Sequence, residues 1–100
     1  NPWTRFDKSA TLPRTSTVAD VDANTLKVVG EMALWGVSYT TANGAAMNSP
    51  TGGEFYGTIQ WIPGIGSEGS QVAHGTYPNI VKRRTTNGTT FSTWITIAES

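Results

Sequence analysis

Residues 54–62 read Glu-Phe-Tyr-Gly-Thr-Ile-Gln-Trp-Ile, and this stretch decides the fold class. Alternation places Phe55, Gly57, Ile59 and Trp61 on one face, with Tyr56, Thr58, Gln60 and Ile62 on the other. Side chains two apart share a face only in an extended strand. Upstream, Glu31–Thr41 (EMALWGVSYTT) has the same aromatic and β-preferring character after Gly30. Between them, Asn43-Gly44 and the run from Asn48 to Gly53 mark turns or a long loop. Downstream, Pro63–Gly69 is an exposed connection. Ser70–Tyr77 and Asn79–Thr85 then read as two further strands, separated at Pro78, which cannot donate to a ladder.

The last pair carries the clearest local signal. Asn87-Gly88 lies between IVKRRTT and TTFSTWITI, which predicts a hairpin with a type I′ turn, where both central residues take positive φ. Alternation then sets Phe91, Thr93, Ile95 and Ile97 on one face and Trp94 on the other. Either a bulge re-aims Trp94 or both faces of this strand are covered.

Composition agrees with β structure: threonine occurs 16 times, glycine 11 times and leucine 3 times. Leu, Ile, Val and Phe together make 19 of 100 residues, a thin core for a small domain that is marginal alone. Net charge is zero and four tryptophans are present, so a folded chain is expected, with self-association completing its interior. Residues 1–25 are poor in periodic apolar positions and interrupted by Pro2 and Pro13. They predict an extended arm from a longer parent chain, with Trp3 and Phe6 available for docking. A turn or helical turn follows around Val18–Leu26, with Asp22 as its N-cap. The expected division is therefore 1–25 as arm or linker and 26–100 as the β domain.

The same counts exclude much chemistry. Balanced charge argues against a nucleic-acid footprint and a polybasic membrane patch. No apolar run approaches a spanning helix, and no signal peptide is visible. Cysteine is absent and His74 is the sole histidine, so thiolate sites, cysteine nucleophiles and imidazole clusters are excluded. Asp20, Asp22, Asn24 and Glu31 have part of a calcium-loop spacing. However, Thr25 stands where the loop needs glycine and Lys27 where it needs an apolar residue, so a capped turn is the expectation. The acidic residues are scattered, with no pair inside a strand to serve a glycosidase. His74 has eight serines for company but no Gly-x-Ser-x-Gly elbow. No catalysis, metal or cofactor is expected.

Binding candidates remain. In Lys82-Arg83-Arg84, strand geometry puts Lys82 and Arg84 on one face and Arg83 opposite. The cluster reads as a solvated edge that blocks edge-to-edge pairing, as a contact for acidic or hydroxyl-rich glycan, or as an arginine turned inward toward a carboxylate at a subunit contact. Each indole is weighed as core or subunit interface before it is weighed as a sugar platform. Trp35 and Trp61 border loops and are the best exposed candidates. With Tyr77 and Arg84 they form the expected glycan-binding set.

Several of these residues fall in a familiar order. Asp22-x-Asn24-x-Leu26-x-x-x-Gly30 leads into a strand, then come Asn48-Ser-Pro50, Phe55-Tyr-Gly57-Thr-Ile59-x-Trp61, Gln71, Ile80-Val-Lys-Arg83-Arg84 and Thr90-Phe91-Ser-Thr-Trp94-Ile-Thr-Ile97. This order resembles the knob-type β domains of bacteriophage tail fibres, tailspikes and R-type pyocin fibres, over about residues 20–100. Met32 stands where the family often has tyrosine, and Phe91 replaces the first tryptophan of a closing pair. The resemblance implies an all-β, mostly antiparallel small sheet or sandwich with an extended N-terminal arm, assembled as a homotrimer. It also implies an extracellular place on the virion and attachment to bacterial surface polysaccharide or lipopolysaccharide, without nucleic acid or membrane insertion. The alternatives are a purely structural trimerisation or fold-assisting module, whose parent carries a depolymerase elsewhere, and a free-standing carbohydrate-binding domain.

Overall fold

The computed structural model describes residues 18–19 and 21–99, so the arm with Trp3 and Phe6, together with Asp20, lies outside the described residues. The described chain is all-β. A short strand β1 (Val18–Ala19) precedes a 3₁₀ turn at Ala23–Thr25, followed by β2 (Ala33–Tyr39), β3 (Phe55–Pro63), β4 (Gly69–Tyr77), β5 (Ile80–Thr86) and β6 (Ile95–Glu99). They form a single six-stranded sheet in sequence order. β1 runs parallel to β2, and every later neighbour is antiparallel. No described helix is long and apolar enough to cross a membrane.

The meander follows from its turns. The connections from β3 to β4 and from β4 to β5 are short, residues 64–68 and 78–79, so each of these strands folds back on the one before it. Registers pair Trp35 with Ile59, Ile59 with Ala73, and Gln71 with Arg84. Paired residues share a face, so the alternation in residues 54–62 propagates across the sheet. Phe55, Ile59 and Trp61 are buried beside Ala33, Trp35, Val37, Tyr39 and Ala73. Gly57 opposes Gly75 in this layer. A methyl group at Gly57 would run into the His74 carbonyl and lie 2.9 Å from Gly75 Cα, so close approach of the two strands requires glycine there.

The inner face is closed by irregular chain. Ala23 and Leu26 are buried, and Val21, Val28 and Met47 pack against the same cluster. The packed segment thus runs across the expected division at residues 25 and 26. It has no ladder of its own, so its carbonyls need other donors. Inner-face side chains supply them from polar tips. Tyr39 Oη donates to Val21 O at 2.6 Å and Trp61 Nε1 to Val28 O at 2.6 Å. Gln71 Nε2 donates to Ala23 O at 2.7 Å and Leu26 O at 2.9 Å. Asp22 caps the 3₁₀ turn as expected, accepting from Asn24 N–H at 2.9 Å.

On the opposite face, Leu34, Tyr56, Ile62, Val72 and Val81 are half-buried. Tyr77 and the β6 residues Ile95 and Ile97 are exposed.

The closing hairpin exists, but its turn differs from the expected one. Gly88 has φ of 100°, whereas Asn87 is not among the positive-φ residues, so the turn is not type I′. The Asn87 carboxamide instead accepts from Thr89 N–H at 2.9 Å and Thr90 N–H at 3.0 Å. This holds a four-residue loop between Thr86 and Phe91, which form an isolated bridge. An asparagine side chain that bonds its own downstream backbone favours this wider turn.

Candidate functional site

A cleft of about 770 Å³ opens between the 40–54 loop and the β5–β6 hairpin, lined by Asn24, Lys27, Asn48, Lys82, Arg84 and Trp94 among others. Behind the Arg84 that lines it lies Gln71, fully buried on β4, whose Oε1 accepts from Arg84 Nε at 2.8 Å. Arg84 is itself only 4% exposed. Alternation along β5 forces it inward with Lys82 and leaves Arg83 exposed.

Two rings cover the guanidinium. The Arg84 Cζ atom lies 3.9 Å from the centre of the Phe91 ring and 4.4 Å from that of Trp94. This is within range for cation–π attraction, which strengthens when water is excluded. Lys27 Nζ approaches Phe91 as well, at 5.7 Å. Phe91 and Trp94 reach the same cation because the strand is interrupted between them. Thr85 O accepts from Ser92 N–H, while Arg83 pairs with Ile95, so an extra residue is accommodated and Trp94 is re-aimed toward Arg84. Of the two arrangements open for Trp94, the bulge is the one found.

The far wall is the 40–54 loop. Asn48 adopts φ of 59°, a left-handed conformation that asparagine tolerates better than most residues. Its Nδ2 donates to Asp22 Oδ1 at 3.0 Å, and its backbone carbonyl accepts from Trp94 Nε1 at 3.1 Å. Asp22, the turn that follows it, the Asn48 loop and the closing hairpin are therefore joined in one polar network. Burial lowers the Arg84 pKa to about 10, a shift opposed by Coulombic interaction with Asp22 and Tyr39. The guanidinium stays charged at neutral pH.

Among the described residues, two buried side-chain atoms have no hydrogen-bond partner: Asn24 Oδ1 and Arg84 Nη2. Both belong to residues that line the cleft. The described residues hold no cluster of histidine or acidic side chains suited to a metal ion. The cleft can offer an aromatic edge, amides, hydroxyls and fixed positive charge, which is equipment for binding.

The expected binding residues separate in the fold. Arg84 lies in the cleft, turned inward as one reading allowed, though its partners are an amide and two rings and no carboxylate. The solvated-edge reading fails for Arg84. Trp35 and Trp61 are 9% and 1% exposed, so neither is an exposed platform. Both fall on the inner face of the meander, which the 21–28 segment covers. Tyr77 is 61% exposed, at the end of β4, with its ring centre 6.2 Å from that of Tyr56, and it does not line the cleft. Sequence reasoning missed Lys27, Asn24, Asn48, Phe91 and Trp94 as a group. Asn48-Ser-Pro50 and the Asn87-Gly88 hairpin marked the two walls, but nothing in their spacing placed them opposite each other. Comparison of the chain with protein-family models, with curated proteins and with solved structures finds no match.

Proposed function

We propose that the chain is an attachment module of a bacteriophage tail fibre or tailspike, acting without catalysis, which binds glycan on the bacterial surface through this cleft. The carrying observation is the cleft lining: a half-buried indole and a phenyl ring beside amides, hydroxyls and fixed cations. A sugar presents both an apolar C–H face and hydroxyls, and small-molecule sites combine apolar surface with a few placed polar groups in this manner. The residues that carry the family resemblance, Asp22, Asn24, Asn48, Gln71, Arg84, Phe91 and Trp94, also lie in one network or along one cleft, which supports a common role for them.

A glycan array and whole-bacterium binding by the full chain test this reading. Trp94→Ala should weaken binding at least about tenfold, with thermal unfolding recorded beside it to separate loss of site from loss of fold. Undiminished binding by a folded Trp94→Ala protein refutes the cleft as the site.

A second reading, a structural homotrimerising module of a tailspike whose depolymerase lies elsewhere in the parent, is favoured by one observation. Ile95 and Ile97 are 51% and 53% exposed on the edge strand of the sheet. Such a strand offers both apolar surface and unpaired backbone groups to another chain. The two readings are compatible if the trimer presents the clefts outward.

A further inference from the structure

Resting on the glycan reading above, we infer that the ligand is an acidic sugar, whose carboxylate is held at the Arg84 end of the cleft. The chain as a whole has zero net charge. The cleft does not share that balance: Lys27, Lys82 and Arg84 line it, and no aspartate or glutamate does. Asp22 is the carboxylate whose charge acts on Arg84, but it does not line the cleft. Arg84 Nε donates to the neutral Gln71 amide. The guanidinium is already desolvated and held by two rings and an amide, so little ordering remains to be lost when an anion binds.

The two orphaned atoms narrow the ligand further. Buried polar atoms nearly always find a partner, and here two residues that line the same cleft each keep a covered atom without one, a cationic donor, Arg84 Nη2, and a neutral acceptor, Asn24 Oδ1. A bare carboxylate would satisfy the donor and leave the acceptor empty. A neutral sugar could satisfy the acceptor but would leave the excess positive charge of the lining, from Lys27, Lys82 and Arg84, without an anion in the cleft. A uronic acid carries both complements, a carboxylate acceptor and hydroxyl donors, a few ångströms apart on one ring. Phe91 and Trp94 then supply apolar surface for its C–H face.

NMR titration of the full chain with glucuronate, with glucose and with inorganic phosphate tests this, following the Arg84 Nε–H and Trp94 Nε1–H resonances. Glucuronate is expected to shift both, with affinity about tenfold or more above that of glucose, the scale of a charge-assisted hydrogen bond. The double variant Lys27→Gln, Lys82→Gln should reduce that preference while leaving the unliganded Trp94 resonance in place. Equal affinity for glucose and glucuronate overturns the acidic assignment and leaves the glycan reading standing. Phosphate as effective as glucuronate also overturns it, because the anion would then be held without its sugar. If none of the three shifts either resonance, the assignment fails. The array result then decides whether the glycan reading fails with it.

Discussion

Replacing Gln71 with leucine keeps the approximate shape of a fully buried side chain and removes three hydrogen bonds. Their losses are unequal. Ala23 O keeps the Leu26 N–H at 3.2 Å, so its penalty is small. Leu26 O loses the Gln71 donor, and Arg84 Nε is left as a buried, charged donor without an acceptor. An unsatisfied neutral group costs about 1–3 kcal/mol and a charged one more, which together gives roughly 3–5 kcal/mol. Small domains have about 5–15 kcal/mol in all, so the variant should sit near the limit of folding. Urea unfolding at fixed protein concentration should show the midpoint falling by at least about 1 M, for a slope of about 1–3 kcal/mol per M.

Adding Arg84→Met to Gln71→Leu removes the stranded charge and keeps a long apolar stem against Phe91 and Trp94. The double variant should therefore recover roughly 1–2 kcal/mol relative to Gln71→Leu alone, as a coupled pair does. A Gln71→Leu protein within about 0.5 kcal/mol of the wild type would refute the reasoning. So would a double variant whose cost is the sum of the two single ones. The first result would show that the 21–28 segment is held by apolar packing and not by donors from the sheet, and the second that Gln71 and Arg84 are not coupled.

Three further outcomes are expected. Gly57→Ala forces a methyl group into the neighbouring strand and should cost about 1–3 kcal/mol, read as a melting temperature lower by roughly 4–20 °C; an unchanged melt would show that the strands can part at Gly75 without loss. Because burial lowers the Arg84 pKa to about 10 in the folded chain, the unfolded chain holds more protons from about that pH upward. The contribution of Arg84 to stability therefore rises with pH from there and is flat below it. Anion binding should run the other way, steady through neutrality and lost past pH of about 10, when the guanidinium deprotonates; a loss centred near neutrality would assign the binding to another group. Ile95→Lys with Ile97→Lys places charge on the exposed edge strand and should dissociate a trimer into monomers by light scattering. An unchanged mass would remove this strand from any subunit contact.

Much of the sheet was legible in the residues alone. Period-two alternation in residues 54–62 named the buried face of β3, because facing water or core is a local choice made residue by residue; β-preferring residues between turn and proline signals located β2, β4 and β5. Asp22 was also legible as a cap, since capping needs only the next few residues. Exposure of the indoles was not legible. Trp35 and Trp61 border loops, and only the return of the 21–28 segment over the sheet decides that they are covered.

The cleft lies wholly on that second side of the line. Asn24, Asn48 and Arg84 are separated by two to three dozen residues each, and their meeting with Trp94 depends on strand register and on the extra residue ahead of β6 that turns Trp94 inward. Sequence by itself determined that this chain would pair strands, which face of β3 would be buried, and that cysteine and clustered histidine chemistry was absent. Tertiary structure alone decided that a lone arginine would be buried between two rings in a cleft without carboxylates. The reason is physical: alternation is set by neighbours along the chain, whereas the partners of a buried charge are set by which distant segments the folded sheet brings together.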